Sequence, residues 1–281
     1  MRLLALLLPV GALVVVGALF LALQVRDGGS GGSRPVATGP SQGGVEQSSA
    51  GGSLPRLEPG ANVCQGVLHV PAPGQPQTFP AQYTKHATAH GLTIVAGPGV
   101  PSDALDQART TVERVFAGND LAAALIEQGA YVVIAEKDQG VLDLPEFACL
   151  NGKVDQDFFN HVCGVADRAD YPVATVNEAD LLGDRSGPCR GLNILYHELG
   201  HLVQNWSVAP ADWFDIKQYY QQALDEGRYR GQYAATNSDE YFAEATQSYF
   251  LYGDTDGSHD RAWLAQYDPR IYALLQRVYG K

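Results

Sequence analysis

The spacing of apolar and polar positions divides the chain into three regions. From Leu3 to Leu23, 21 consecutive residues carry no charge, close to the roughly 20 a helix needs to cross a bilayer core. Arg2 flanks the run on one side and Arg26 with Asp27 on the other, a weak bias toward a cytoplasmic N-terminus. Residues 27–60 are mostly Gly, Ser and Pro and bury too little apolar surface to offset their ordering entropy. They read as a tether with a reach on the order of 30 Å. Regular apolar periodicity begins only beyond residue 61, so the expected organisation is a membrane anchor (1–26), a linker (27–60) and one folded domain (61–281).

Within that domain, "LTIVA" (92–96) is a β-branched run stopped by Gly97-Pro98 and predicts a strand. A helix follows from Ser102 and Asp103, with Leu105, Ala108, Val112, Val115 and Phe116 at helical spacing up to Gly118. A shorter helix over Asp120 to Gln128 leads to a buried strand, "YVVIAE" (131–136). Residues 140–172 show no period and predict a long stapled loop, and "PVATV" (172–176) predicts another strand. Helices dominate afterwards. Leu192, Leu195, Tyr196, Leu199, Leu202 and Val203 form one stripe; "DWFDIKQYYQQALDEG", "SDEYFAEATQSYFLYG" and Pro269 to Val278 are three further helices. Strand, helix, helix, strand order implies helices layered on a small sheet.

Charge and cysteine content narrow the function classes. The formal net charge is −12, and residues 61–281 hold 15 basic against 28 acidic side chains, which argues against nucleic acid as a partner. Cys64, Cys149, Cys163 and Cys189 all follow the apolar N-terminal run. An even number in an exported segment predicts two disulfides, and the pairing expected is Cys149 with Cys163 and Cys64 with Cys189. No Cys-x-x-Cys pair is present, so a cysteine zinc site is not expected.

The chemistry concentrates in "NILYHELGHLVQNW" (193–206). His197 and His201 are four apart, so a helix places both imidazoles on one face, a spacing suited to zinc, with Glu198 beside them to accept a proton from water. A surface helix with two solvated histidines is the plainer alternative. Against it, the histidines adjoin the apolar stripe, and Gly200 costs roughly 1 kcal/mol against alanine in a helix interior unless a neighbouring segment approaches closely. A catalytic zinc site needs three protein ligands and a water. Glu240 and Glu244 share a face of a later helix, among apolar neighbours where a carboxylate requires a partner. One of the two can ligate while the other reaches a ligand histidine.

"YHELGH" followed by "YAATNSDEYFAEA" resembles the catalytic domain of gluzincin metallopeptidases of the anthrax lethal factor type, which also includes secreted Pro-Pro endopeptidases. The likeness covers mainly residues 191–250. It implies an α+β, zincin-like domain: a small mixed sheet with helices, and an active-site helix followed by a mainly helical C-terminal part. It further implies one Zn2+ held by His197, His201 and Glu240, with Glu198 as general base. A tyrosine seven residues before the ligand glutamate has the oxyanion or proton-donor role, and here that is Tyr233. This spacing selects Glu240 as ligand and leaves Glu244 to support a histidine.

The expectation is therefore an exported, membrane-tethered zinc endopeptidase acting on a peptide or protein substrate, with its catalytic domain outside the cytoplasm. "PVATV" is the candidate edge strand for an extended substrate, with a plain interior strand as the alternative. A cleaved signal peptide, giving a secreted protein, is the rival for localisation. A zinc hydrolase of a non-peptide, cell-wall substrate and a non-catalytic zinc-containing binding module are the rivals for function.

Overall fold

A computed structural model describes residues 77–152, 156–159, 162–168, 171–251 and 259–280. The expected anchor and linker lie outside the described residues. Among the described residues no helix is long and apolar enough to cross a membrane.

The sheet opens with a hairpin, β1 (Lys85–Ala89) antiparallel to β2 (Leu92–Ala96). His90 and Gly91 form its turn, both at positive φ (48° and 81°), as a two-residue hairpin turn of this hand requires. The chain crosses over through α1 (Ser102–Phe116) and α2 (Leu121–Glu127) to β3 (Tyr131–Ala135), which lies parallel to β2. Two 3-10 turns (Val141–Asp143, Ala148–Leu150) and a short α3 (Gln156–Phe159) lead to β4 (Ala166–Arg168) and β5 (Tyr171–Asn177). After α4 (Glu178–Leu181) come α5 (Leu195–Trp206), α6 (Pro210–Asp225), a 3-10 turn (Tyr233–Ala235), α7 (Ser238–Phe250), α8 (Arg261–Tyr267) and α9 (Pro269–Tyr279). This is the expected α+β architecture.

Residue alternation explains why β3 is apolar throughout. Val132 and Ile134 face the main core under α1, α2 and α5, while Tyr131, Val133 and Ala135 face a second core formed with the 141–150 turns. A strand covered on both sides has no polar face to present.

Three expectations change. The strand order is β1-β2-β3-β5-β4, so "PVATV" is an interior strand, paired to β3 on one side and β4 on the other. Its run of buried residues, Val173 to Val176, is the mark of a strand covered on both faces. The edge on that side is β4, in the stretch read as loop; three residues are too few to show a period. Its pairing continues as Thr175 N–H donates to Val165 O (2.9 Å) and Asn177 N–H to Cys163 O (3.3 Å). Third, the disulfide is Cys163–Cys189, and Cys149 is disulfide-bonded as well. This contradicts both expected pairs, because Cys163 lies on the β4 side of the sheet, with its Cα 5.3 Å from that of Cys189 in the loop before α5.

That loop is shaped by one buried side chain. Asp180 accepts hydrogen bonds from Cys189 N (2.9 and 3.1 Å) and Gly191 N (2.9 Å), folding the chain back before it enters α5. Gly191 has φ +81°, and a Cβ there would lie 2.6 Å from Gly183 O.

Candidate metal centre

Two antiparallel helices build the site. The stripe Leu195, Tyr196, Leu199, Leu202 and Val203 holds α5 in the core, so the remaining face, with His197 and His201, turns toward α7. Asn193 Oδ1 accepts from Leu195 N (3.1 Å) at its start. On α7, Asn237 is the N-cap and accepts from Asp239 N (2.9 Å) and Glu240 N (2.8 Å), fixing the turn that carries Glu240. Gln204 Nε2 donates to Asp239 Oδ1 at 2.7 Å and ties the end of α5 to the start of α7. Gln204 was not singled out in the sequence, although a polar residue seven beyond His197 shares the histidines' face.

Gly200 lies at the contact between the helices. A Cβ added to it would be 3.1 Å from Ala243 Cα, 3.1 Å from Thr246 Cβ and 3.2 Å from Thr246 Oγ1. The close approach expected at this glycine is thus made by the helix carrying Glu240.

The structure brings all six sequence-selected residues together. His197 Nε2 lies 3.1 Å from His201 Nε2 and 3.2 Å from Glu240 Oε2, and His201 Nε2 lies 3.4 Å from the same oxygen. All three residues are buried. Three donor atoms around a tetrahedral zinc with bonds of about 2.0–2.1 Å stand about 3.3–3.4 Å apart, so the triangle has the right size for that ion. Glu240 Oε2 has no hydrogen-bond partner, and neither do His201 Nδ1 and both Glu198 oxygens. The centre is suited to one Zn2+.

Around this triangle, Glu244 Oε1 stands 3.1 Å from His197 Nδ1, close but off the line of a hydrogen bond. Tyr233 opens the 3-10 turn before α7, its ring centroid 6.3 Å from that of His197. Glu198 is buried beside β4; its oxygens lack an aligned partner, but the Ala166 N–H is near enough to favour the carboxylate. Ala166 belongs to the edge strand, a neighbour that sequence periodicity did not reveal.

The electrostatics call for positive charge. Burial alone would lower His197, but the Glu240 and Glu244 carboxylates outweigh it and push it up to about 10. Burial pushes the Glu198 carboxyl up to about 8, and repulsion from Glu240 adds to the effect. Burial would raise Glu240 too, yet the His197 and His201 imidazoles beside it hold it down to about 2. Three carboxylates facing two imidazoles favour a cation.

A His-x-x-x-His helix joined to a downstream glutamate helix on an α+β scaffold defines the class as a gluzincin-type zinc metalloprotease domain. Residues 102–278 match the family described as "Anthrax toxin lethal factor, N- and C-terminal domain", and the chain belongs to that family. No curated protein matches the chain.

Proposed function

We propose that the protein is a zinc endopeptidase that hydrolyses peptide bonds by attack of water, displayed outside the cytoplasm on an N-terminal membrane anchor. The observation that carries the reading is the placement of Glu198: a buried carboxylate without an aligned partner, next in sequence to His197 and beside the edge strand. A non-catalytic zinc site has no use for an unpaired buried carboxylate there, because burying one without a partner is costly.

In this mechanism His197, His201 and Glu240 would hold the metal. A zinc ion held there would supply Lewis-acid chemistry, polarising a carbonyl and lowering the pKa of a water. Glu198 takes the proton from that water and delivers it to the leaving amine. Tyr233 O–H donates to the oxyanion of the tetrahedral intermediate, a contribution of about 2.7–4 kcal/mol where such donors have been removed. Glu244, with Oε1 3.1 Å from His197 Nδ1, keeps that ring oriented by charge attraction. An extended substrate pairs with the outer side of β4, a terminal strand of the sheet among the described residues and the one next to Glu198, in the β-augmentation mode.

The uncharged run from Leu3 to Leu23 supports the anchor. The cysteines support export, since Cys163 and Cys189 are paired and no described cysteine is free, a state that oxidising compartments maintain.

The test is digestion of a peptide library by the purified full chain loaded with one equivalent of zinc. Cleavage is expected, with loss on chelation and in Glu198→Ala, and retention of zinc by that variant. Zinc bound at one equivalent with no cleavage, or equal cleavage by wild type and Glu198→Ala, overturns the peptidase reading. Protease added to intact cells is expected to remove the domain; full protection overturns the localisation.

A further inference from the structure

The residue proposed to stabilise the oxyanion, Tyr233, is not in a regular helix or strand, so something else must fix it against the metal ligands. The stretch before it, from Gly227 to Gln232, turns sharply. Tyr229 within it is buried and has φ +57°, a conformation that a bulky side chain adopts only when its surroundings impose it.

Those surroundings are aromatic. The Tyr229 ring packs edge-on against Tyr241 (5.5 Å between centroids) and Tyr267 (5.0 Å), and its backbone N–H donates to Tyr267 Oη at 2.9 Å. Beneath the rings lies Asp268, fully buried at the junction of α8 and α9. One oxygen, Oδ2, accepts from Tyr241 Oη at 2.8 Å and from Tyr229 Oη at 3.4 Å. Its other oxygen has no hydrogen-bond partner, and Arg270 Nε stands 3.7 Å away. As the N-cap residue of α9, its side chain makes no capping bond, so helix termination does not explain it.

The two tyrosines differ in what they carry. Tyr241 follows Glu240 directly on α7, and Tyr229 precedes Tyr233 by one turn of the strained loop. A single buried carboxylate therefore joins the metal-ligand helix to the loop bearing the proposed oxyanion donor. Tyr220 Oη adds a second tie by donating to Ala235 O at 2.9 Å.

We infer that Asp268 is a positioning residue for catalysis: through Tyr241 and Tyr229 it sets the place of Tyr233 relative to the metal ligands, without itself reaching the reacting atoms. The inference rests on the reading of Tyr233 given above. A small displacement of a catalytic group is enough to slow a reaction by up to about a hundredfold.

The test uses the full chain with one equivalent of zinc and two readouts. In Asp268→Ala, kcat is expected to fall roughly tenfold with KM and zinc content unchanged. The same substitution in a Tyr233→Phe background is expected to cost nothing further, since the group it positions is gone. Amide exchange of residues 230–236 is expected to quicken in Asp268→Ala, zinc-loaded or not, while the amides of α5 and α7 stay protected. Should Asp268→Ala not fold, Tyr229→Phe carries the same readouts with a smaller effect in the same direction. Unchanged exchange in 230–236 overturns the clamp whatever the activity. An equal further loss of kcat in the Tyr233→Phe background overturns the route through Tyr233. Full activity in Tyr233→Phe alone instead refutes the oxyanion reading, and this inference with it, while loosened exchange would still mark Asp268 as a loop clamp.

Discussion

Gly200 on α5 and Thr246 on α7 stand so close that a methyl group on the glycine would lie 3.1 Å from Thr246 Cβ and equally near Ala243 Cα. Alanine at position 200 has two opposing effects. It gains about 1 kcal/mol of helix propensity, but overpacking against a helix backbone costs typically about 1–3 kcal/mol. Because one obstacle is a Cα that no rotamer change can move, the second effect dominates. Gly200→Ala is expected to be destabilised by roughly 1 kcal/mol in urea unfolding and to bind zinc more weakly, since Glu240 moves away with α7. Unchanged or raised stability contradicts this packing.

The two glutamates of α7 are expected to respond differently to removal. Glu240 Oε2 faces both histidines, whereas Glu244 reaches only His197. In a competition titration with a chelating dye, Glu240→Ala is expected to lose high-affinity zinc binding. Glu244→Ala is expected to lose roughly 10–100-fold in affinity, the usual range for a group that orients a ligand. The reverse order would exchange their assignments.

The Cys163–Cys189 bridge spans a sequence separation of 26. Closing a loop of that size is worth about 3.5 kcal/mol in the chain-entropy model. Replacing both residues with alanine is expected to lower unfolding free energy by that order. Because the bridge joins the edge-strand side of the sheet to the loop before the histidine helix, KM for peptide is expected to rise more than kcat falls. Equal stability of the double variant and wild type rejects the first expectation; an unchanged KM rejects the second.

Acid sensitivity has a traceable contributor at the end of α6. Arg270 donates to both Glu226 oxygens (2.6 and 2.7 Å) and Arg228 to one (2.7 Å), holding the Glu226 carboxyl down to about 2. A folded pKa below the unfolded one, about 4.3, means the carboxylate stabilises the fold above that pH and loses its contribution as pH falls toward 2. The melting-temperature gap between wild type and Glu226→Gln is expected to be constant near pH 6 and to close between pH 4 and 2. A gap that persists at pH 2 assigns the effect to packing instead.

The histidine and glutamate helices were legible because each is long enough to repeat its apolar face, and the polar residues off that face are the ones that meet. The helices over 102–116, 210–225 and 269–279 were legible for the same reason. Periodicity is blind where elements are short or where partners are distant in sequence. β4 has three residues, and the hairpin strand Lys85–Ala89, "KHATA", has no large apolar residue to advertise it. α8 makes barely two turns. Whether "PVATV" lay inside the sheet or at its edge depended on β4 pairing beyond it. The cysteine pairing followed from how β4 and the loop before α5 meet, which no spacing encodes. Asp268 sits in "YDPRIY", ordinary for a helix start, and only its burial beneath two tyrosines distinguishes it.

The metal triangle draws two corners from α5 and the third from α7, with α6 and the Tyr233 turn between them in the chain. A ribosome releases the histidines and Glu198 well before Glu240. During synthesis the growing polypeptide thus carries an incomplete ligand set, and the order of translation itself leaves the centre one corner short until α7 has emerged and docked on α5.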